Sequence, residues 1–361
     1  MKVNSIKALI RKLVEVEPSK SPMLSCFVTF DSSRGEGLAK LDFEFQMVSR
    51  KLAGTWYEDF QKARTSINDY LKQNLKADTQ SVVIYARAGK DPFFEALQFK
   101  VPLLTEIIVD SLSHIYPLIE LKDNYHRFVI VITTEAEAQI LETTIGSVTE
   151  EIMTARPELR NRIGREWTRE HYRNHKHERE QQFIKEKIKI VEDLMKRRGH
   201  NHLIVAGSPK MVSRLTDALP HHLKNKLLST MANNPTNGLG ALLRNCILEF
   251  STAENLESHD RVKILESAVL SNGLGLTGFE PTKDAITGGY ADMLIIDQDF
   301  SDFDGREELV RLATKFNIQI ETVNDSPTLK RLGGVGCLLR YQPNFLKTGT
   351  KYVYRDSPSK Y

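Results

Sequence analysis

Arg127-Phe128-Val129-Ile130-Val131-Ile132-Thr133 is an unbroken run dominated by β-branched side chains. A half-exposed strand would alternate apolar with polar residues. A run without alternation predicts a strand buried on both faces, in a sheet with helices on either side. Working outward, residues 136–143 read as a second strand closed by Ile145-Gly146, and residues 202–206 as a third. Between them, residues 170–197 predict a single helix of about 42 Å at the standard rise, stopped by Gly199.

Towards the N-terminus, the spacing of Ile6, Leu9, Ile10, Leu13 and Val14 predicts an opening helix, followed by a strand over 23–30. Asp31-Ser32-Ser33-Arg34-Gly35-Glu36-Gly37 has turn composition. Leu41, Phe45, Val48, Leu52, Trp56, Phe60, Ala63, Ile67 and Leu71 then recur at helical steps, which predicts a long helix bent at Gly54, with strands at 81–86 and 96–101. Towards the C-terminus, residues 233–238 read as a linker and 239–270 as a helix broken near Asn255. Helical and strand segments alternate after that, at 282–287, 292–296, 307–316, 318–323 and 336–341. The expected fold is α/β (α+β) in three domains, 1–115, 116–235 and 236–361, the last a compact αβα sandwich.

The chain has 361 residues, 40% hydrophobic and 27% charged, which is enough for several cores and is not the composition of a disordered chain. No apolar run is long enough to span a bilayer, and the N-terminus lacks a secretory pattern. Cys26, Cys246 and Cys337 are too few and too scattered for a disulfide framework or a CxxC metal site. A cytoplasmic, soluble protein is expected.

Net charge is only +3, but it is unevenly placed. Residues 156–198 hold 14 Lys/Arg against 8 Asp/Glu, a local +6 that leaves about −3 for the rest. Phe183, Ile184, Ile188, Val191 and Met195 form a stripe that predicts packing of the helix's second half on the sheet. From 160 to 179 the only large non-polar side chains are Ile163, Trp167 and Tyr172, set among arginines and three histidines. Two readings fit that stretch. One is a solvated face held by pairs such as Glu166–Arg169. The other is an arm facing RNA, in which guanidinium groups meet phosphates and both guanidinium and aromatic planes stack on bases. Other motifs carry less. His171 and His175 have zinc-ligand spacing, but Tyr172 sits where HExxH needs glutamate, so no metal is expected. Gly273–Gly278 matches G-x-G-x-x-G but follows a predicted helix instead of a strand, so it reads as a helix stop with loop glycines. Gly333-Gly334-Val335-Gly336 reads as a tight turn, and no cofactor is expected.

The stretch Ala285-Ile286-Thr287-Gly288-Gly289-Tyr290-Ala291-Asp292-Met293-Leu294-Ile295-Ile296, with the ending Leu332-Gly333-Gly334-Val335-Gly336-Cys337-Leu338-Leu339-Arg340-Tyr341, resembles the C-terminal domain of the class-one eukaryotic and archaeal release factors and Pelota. That domain has the fold of the kink-turn-binding ribosomal proteins. The order of segments from Phe128 to Leu203-Ile204-Val205-Ala206-Gly207-Ser208 agrees, so the resemblance covers about 115–345. The first domain looks more like the bacterial branch and lacks a stop-codon-reading motif. Release factors carry a Gly-Gly-Gln loop before the long helix, whereas this chain reads Arg162-Ile163-Gly164-Arg165-Glu166-Trp167. That combination is similar to the Balon-type ribosome hibernation factors.

The resemblance implies a non-enzymatic protein, expected to be monomeric, that inhibits translation from the A site of the 70S ribosome. Implied partners are 16S and 23S rRNA, elongation factor Tu and P-site tRNA. Arg162, Gly164, Arg165, Trp167, Arg169, His171, Tyr172 and Arg173 are the candidate contacts on the peptidyl transferase side, and Ser33, Arg34, Gly35 and Lys40 on the decoding side. An ordinary surface loop accounts for the second set equally well. The competing expectation is a ribosome-rescue enzyme that cleaves peptidyl-tRNA as a hydrolase or tRNA nuclease, with Arg165, Glu166 and His171 as acid/base groups. A further one is a free RNA-binding module directed at kink-turn RNA.

Overall fold

The computed structural model describes residues 3–30, 34–76, 79–99, 103, 105–124, 128–134, 137–144, 147–155, 169–232 and 239–342. It is a mixed α/β protein with three sheets. By packing, the described chain divides into two compact units. Of the described residues, the first holds those within 3–5, 21–109 and 124–254, and the second those within 6–20, 110–123 and 255–342.

The first sheet has the order β3-β2-β1-β4, from β1 (Met23–Thr29), β2 (Ser81–Arg87), β3 (Phe93–Phe99) and β4 (Glu106–Asp110). Helices α2 (Arg34–Ser49) and α3 (Gly54–Asn74) cover one face, where Leu41, Phe45, Phe60 and Ile67 close on Leu24, Cys26, Val82 and Ile84. Two expectations are corrected here. The long helix over 41–71 is two helices, because Gly54 takes φ 59, a left-handed conformation that ends one helical run and starts another. The turn expected at 31–37 is already α2 from Arg34. Gly37 serves close packing: a Cβ there would lie 2.6 Å from the Thr29 carbonyl oxygen.

The second sheet, order β7-β6-β5-β8-β9, is built on the run that opened the sequence. Its strands are β5 (Phe128–Thr133), β6 (Glu137–Thr144), β7 (Ser147–Ala155), β8 (His202–Gly207) and β9 (Leu227–Ala232). β5 lies at the centre, antiparallel to β6 and parallel to β8. Val129 and Val131 face α5 (Arg169–Arg198) and α6 (Pro209–Ala218). Phe128, Ile130 and Ile132 face the first part of α8 (Leu239–Leu270), through Cys246 and Phe250. Both faces are therefore covered, as the run predicts. The α8 helix is continuous through Asn255, where a break was expected.

The third sheet, order β10-β13-β11-β12, comprises β10 (Gly275–Thr277), β11 (Ala291–Asp297), β12 (Gln319–Val323) and β13 (Val335–Leu339). Val262 and Leu265 of α8 pack with Ile295, Val323 and Leu329. Helices α9 (Phe279–Thr287) and α10 (Phe303–Lys315) pack with the same sheet, completing the αβα sandwich. The G-x-G-x-x-G segment does follow a helix, since the Gly273 N–H bonds Ala268 O. Its second half, expected to be loop, is β10. In this same unit, α1 (Val3–Glu15) and α4 (Tyr116–Asn124) pack with the third sheet's domain although they are far from it in sequence. No helix among the described residues is long and apolar enough to cross a membrane.

Candidate nucleic-acid interface

The 30-residue α5 is about 45 Å long. Its described buried side chains all come from position 180 onward: Phe183, Ile184, Ile188, Val191, Leu194 and Met195 lock into the core with Met211, Val212 and Leu215 of α6. Glu180 is buried and ion-paired with Arg214 of α6. Two turns on, the Lys187 amine lies 4.2 Å above the Phe183 ring and 3.5 Å from the Glu186 carboxylate. Burial holds that amine below the ordinary lysine range, against the pull of Glu186. Just past the helix end, His200 sits 2.9 Å from Glu142 with both side chains buried, and Lys226 Nζ donates to His200 O at 2.7 Å. The C-terminal half of α5 is thus fixed by an apolar core and paired charges.

Of the residues expected on the peptidyl transferase side, Arg169, His171, Tyr172 and Arg173 fall in the first turns of α5. Positions 169, 172 and 173 share one helical face by their three- and four-residue spacing. Arg162, Gly164, Arg165 and Trp167 lie outside the described residues, as do the side chains of the four α5 positions. His175 and His177 are placed on α5 in the same way.

On the first sheet, Ser33 lies outside the described residues and Arg34 is the first residue of α2. Gly35 and Lys40 are exposed. Lys40 belongs to an outward strip of α2, in which positions 36, 39, 40, 43, 46 and 47 are all exposed. The sequence reading missed two members of that strip. Phe43 is 59% exposed and Met47 40% exposed, one helical turn apart beside Lys40. The signal was present, because neither residue fits the apolar stripe of Leu41, Phe45 and Val48 that faces the core. An exposed ring beside a lysine can stack on a base. The carboxylate of Asp42 on this helix is engaged by Arg64 at 3.1 Å.

The α5 region is also where the chain is similar to a known family. Residues 114–249 match the sequence model of the bacterial archaeo-eukaryotic release factor family 10. The resemblance to the bacterial branch of the release-factor and Pelota proteins is thereby borne out across the second sheet and its helices. No curated protein matches the chain. Among solved structures, Dom34 of S. cerevisiae, a translation termination-like factor, is 13% identical, with 74% of this chain and 82% of that one covered, at TM-score 0.45. A ribosome-bound archaeal Pelota is 14% identical over 94% of each chain, at 0.43. The archaeal translation termination factor aRF1 is 16% identical over 94% of this chain and 99% of that one, at 0.28.

Proposed function

We propose that this protein is a ribosome hibernation factor. It occupies the A site, with the basic segment leading into α5 on the peptidyl transferase side and the outward strip of α2 on the decoding side, and it does not cleave peptidyl-tRNA. Elongation factor Tu accompanies it on the protein-facing side. One observation carries the reading: the match to the bacterial release-factor family spans the arm and α5, and within that span Arg162-Ile163-Gly164-Arg165-Glu166-Trp167 stands where the resemblance calls for Gly-Gly-Gln. The local excess of +6 between 156 and 198 supports a polyanionic partner for this segment.

The test is sedimentation of the protein with 70S ribosomes from resting cells, with peptidyl-tRNA assayed in the same tubes. Co-sedimentation with intact peptidyl-tRNA is expected. Co-sedimentation with cleaved peptidyl-tRNA or tRNA would make the arm an active site and the protein a rescue enzyme. No co-sedimentation at moderate salt would remove the ribosome as partner.

A further inference from the structure

The second unit carries a cationic face that the proposed function does not use. On α1, Ile6, Leu9, Ile10 and Leu13 are buried, while Lys7, Ala8, Arg11, Lys12 and Glu15 are exposed. Lys7 and Arg11 are one helical turn apart, so their side chains rise from the same side of the helix. Ser113 Oγ, just before α4, donates to Leu13 O at 3.3 Å, and Arg311 donates to the same oxygen at 3.4 Å. Lys7 lies about 9 Å back along α1 from Leu13, and Lys122 about 9 Å on along α4 from Tyr116. The two amines come close enough to repel. Lys122 is half-buried; burial holds its amine below the ordinary lysine range, and the charge of Lys7 lowers it further against the pull of Asp123.

Acids do not balance this face. Glu15, the carboxylate of α1, stands at the opposite end of the helix from Lys7. On α4, Asp123 is taken up by the N–H and hydroxyl of Thr322, and Glu120 sits in the field of Arg306, whose guanidinium lies over the Tyr116 ring. Among the described residues, Lys7, Arg11 and Lys122 form no ion pair. Like charges held together at a folded surface cost free energy that an anion between them recovers. The chemistry of the face says which anion. Among the described residues, no large apolar side chain of α1 or α4 is exposed, so the face lacks the anchors of a protein interface. The apolar side of α1 is buried within the fold and is not presented to a lipid surface. A phosphate backbone needs neither, because it is held by cations alone.

We infer that Lys7, Arg11 and Lys122 form a second RNA-binding face, on the C-terminal unit, that takes the phosphate backbone of a folded RNA. Contacts of this kind supply affinity and position and carry no sequence information. The inference rests on the proposed function only for the source of the RNA, which on that reading is ribosomal.

The experiment acetylates the amines of the full chain with acetic anhydride, alone, with a short RNA duplex, and with 70S ribosomes, and reads each lysine by mass spectrometry. Severalfold protection of Lys7 and Lys122 by both partners is expected, with Lys263, exposed on the same unit, unchanged. Lys7→Gln with Arg11→Gln should weaken duplex binding and make its salt slope shallower by about one to two units, whereas Lys263→Gln should do neither. The footprint is read on the parent chain, so it does not depend on how the variants fold. Ribosome binding with both amines unprotected overturns the inference and leaves the proposed function standing. Protection by the duplex without ribosome binding removes the proposed function and keeps this face. Protection by ribosomes alone assigns the face to a ribosomal protein and overturns the inference. Protection with an unchanged slope in the double variant also overturns it, because the cations would then be covered without neutralising phosphates.

Discussion

Asp123, at the end of α4, accepts both the backbone N–H of Thr322 at 2.5 Å and its hydroxyl at 2.8 Å, joining residues 199 positions apart. Thr322 lies on β12 and is nearly fully buried. The same docking recurs at the other end of α4. Glu307 of α10 accepts the Ile115 and Tyr116 N–H groups at 2.9 and 3.1 Å, and lies 3.0 Å from His114 Nδ1. Arg311 donates to Leu13 O and to Ser113 Oγ. Residues 110–123 are therefore structurally part of the C-terminal unit. Asp123→Ala leaves a buried N–H and hydroxyl without their acceptor, which costs about 1–3 kcal/mol. The expected result is a lower urea midpoint, with faster hydrogen exchange at 319–323 and no change in β5.

Glu307 also gives this unit an acid-sensitive element. Burial opposes its ionisation, but His114, Arg311 and the Ile115 N–H outweigh that effect and hold its carboxyl below the ordinary 4.5. A lowered acid favours folding above its unfolded value. That contribution is lost as pH falls from about 4.5 through the lowered folded value. Glu307→Gln should be less stable than the parent at neutral pH and should show a flatter loss of stability below pH 4.5. Parallel curves for the two proteins between pH 7 and pH 3 would show that the carboxylate is not the source.

Which parts of this architecture were legible in the sequence follows from how local their signals are. The run at 128–133 is buried on both faces because each alternate residue meets a different helix, and that is visible in the run itself. The stripe from Phe183 to Met195 likewise gave the packed half of α5. β7 was not visible, because Glu150 and Glu151 interrupt its apolar pattern, and it pairs with β6 at the sheet's edge through a register shift at Glu142/Thr143. β9 is also an edge strand, with partly exposed side chains. The docking of α1 and α4 onto the third sheet's domain depends on pairs such as Asp123–Thr322, and no window of sequence contains both partners. At the candidate interface, charge and composition single out the segment before α5, which lies outside the described residues, whereas Phe43 and Met47 became visible only once the core face of α2 was known.

Lys187 tests how the base of α5 is held. Its amine is buried, sits over Phe183, and faces a Glu186 side chain that is 61% exposed. Burial lowers its folded pKa below the ordinary 10.5, so the charged form is disfavoured in the native state. Stability should then rise with pH as the folded protein sheds this proton before the unfolded chain does, up to about pH 10.5. Lys187→Met removes the penalty and keeps the stem's volume, so it should equal or exceed the parent in stability at pH 7 and abolish that rise. Lys187→Ala leaves a cavity and should lose about 1–3 kcal/mol. Equal losses for Met and Ala would show that the amine itself stabilises the site.

The arm makes the prediction that bears most directly on function. If Arg165 and Arg169 neutralise rRNA phosphates, each releases condensed counterions on binding, so affinity for 70S ribosomes falls with salt along a slope set by the number of contacts. Changing Arg165 and Arg169 to Ala should weaken binding and make that slope shallower by about one to two units. Changing Trp167 and Tyr172 to Ala should weaken binding by about 1–3 kcal/mol per stacked base, with the slope unchanged. The two pairs are therefore separated by a salt titration, not by affinity at one salt concentration. Urea unfolding of each variant, compared with the parent, shows whether a binding loss comes from the arm or from the fold. Unchanged affinity and slope in all four substitutions, with the fold intact, would rule out this arm as the ribosome contact.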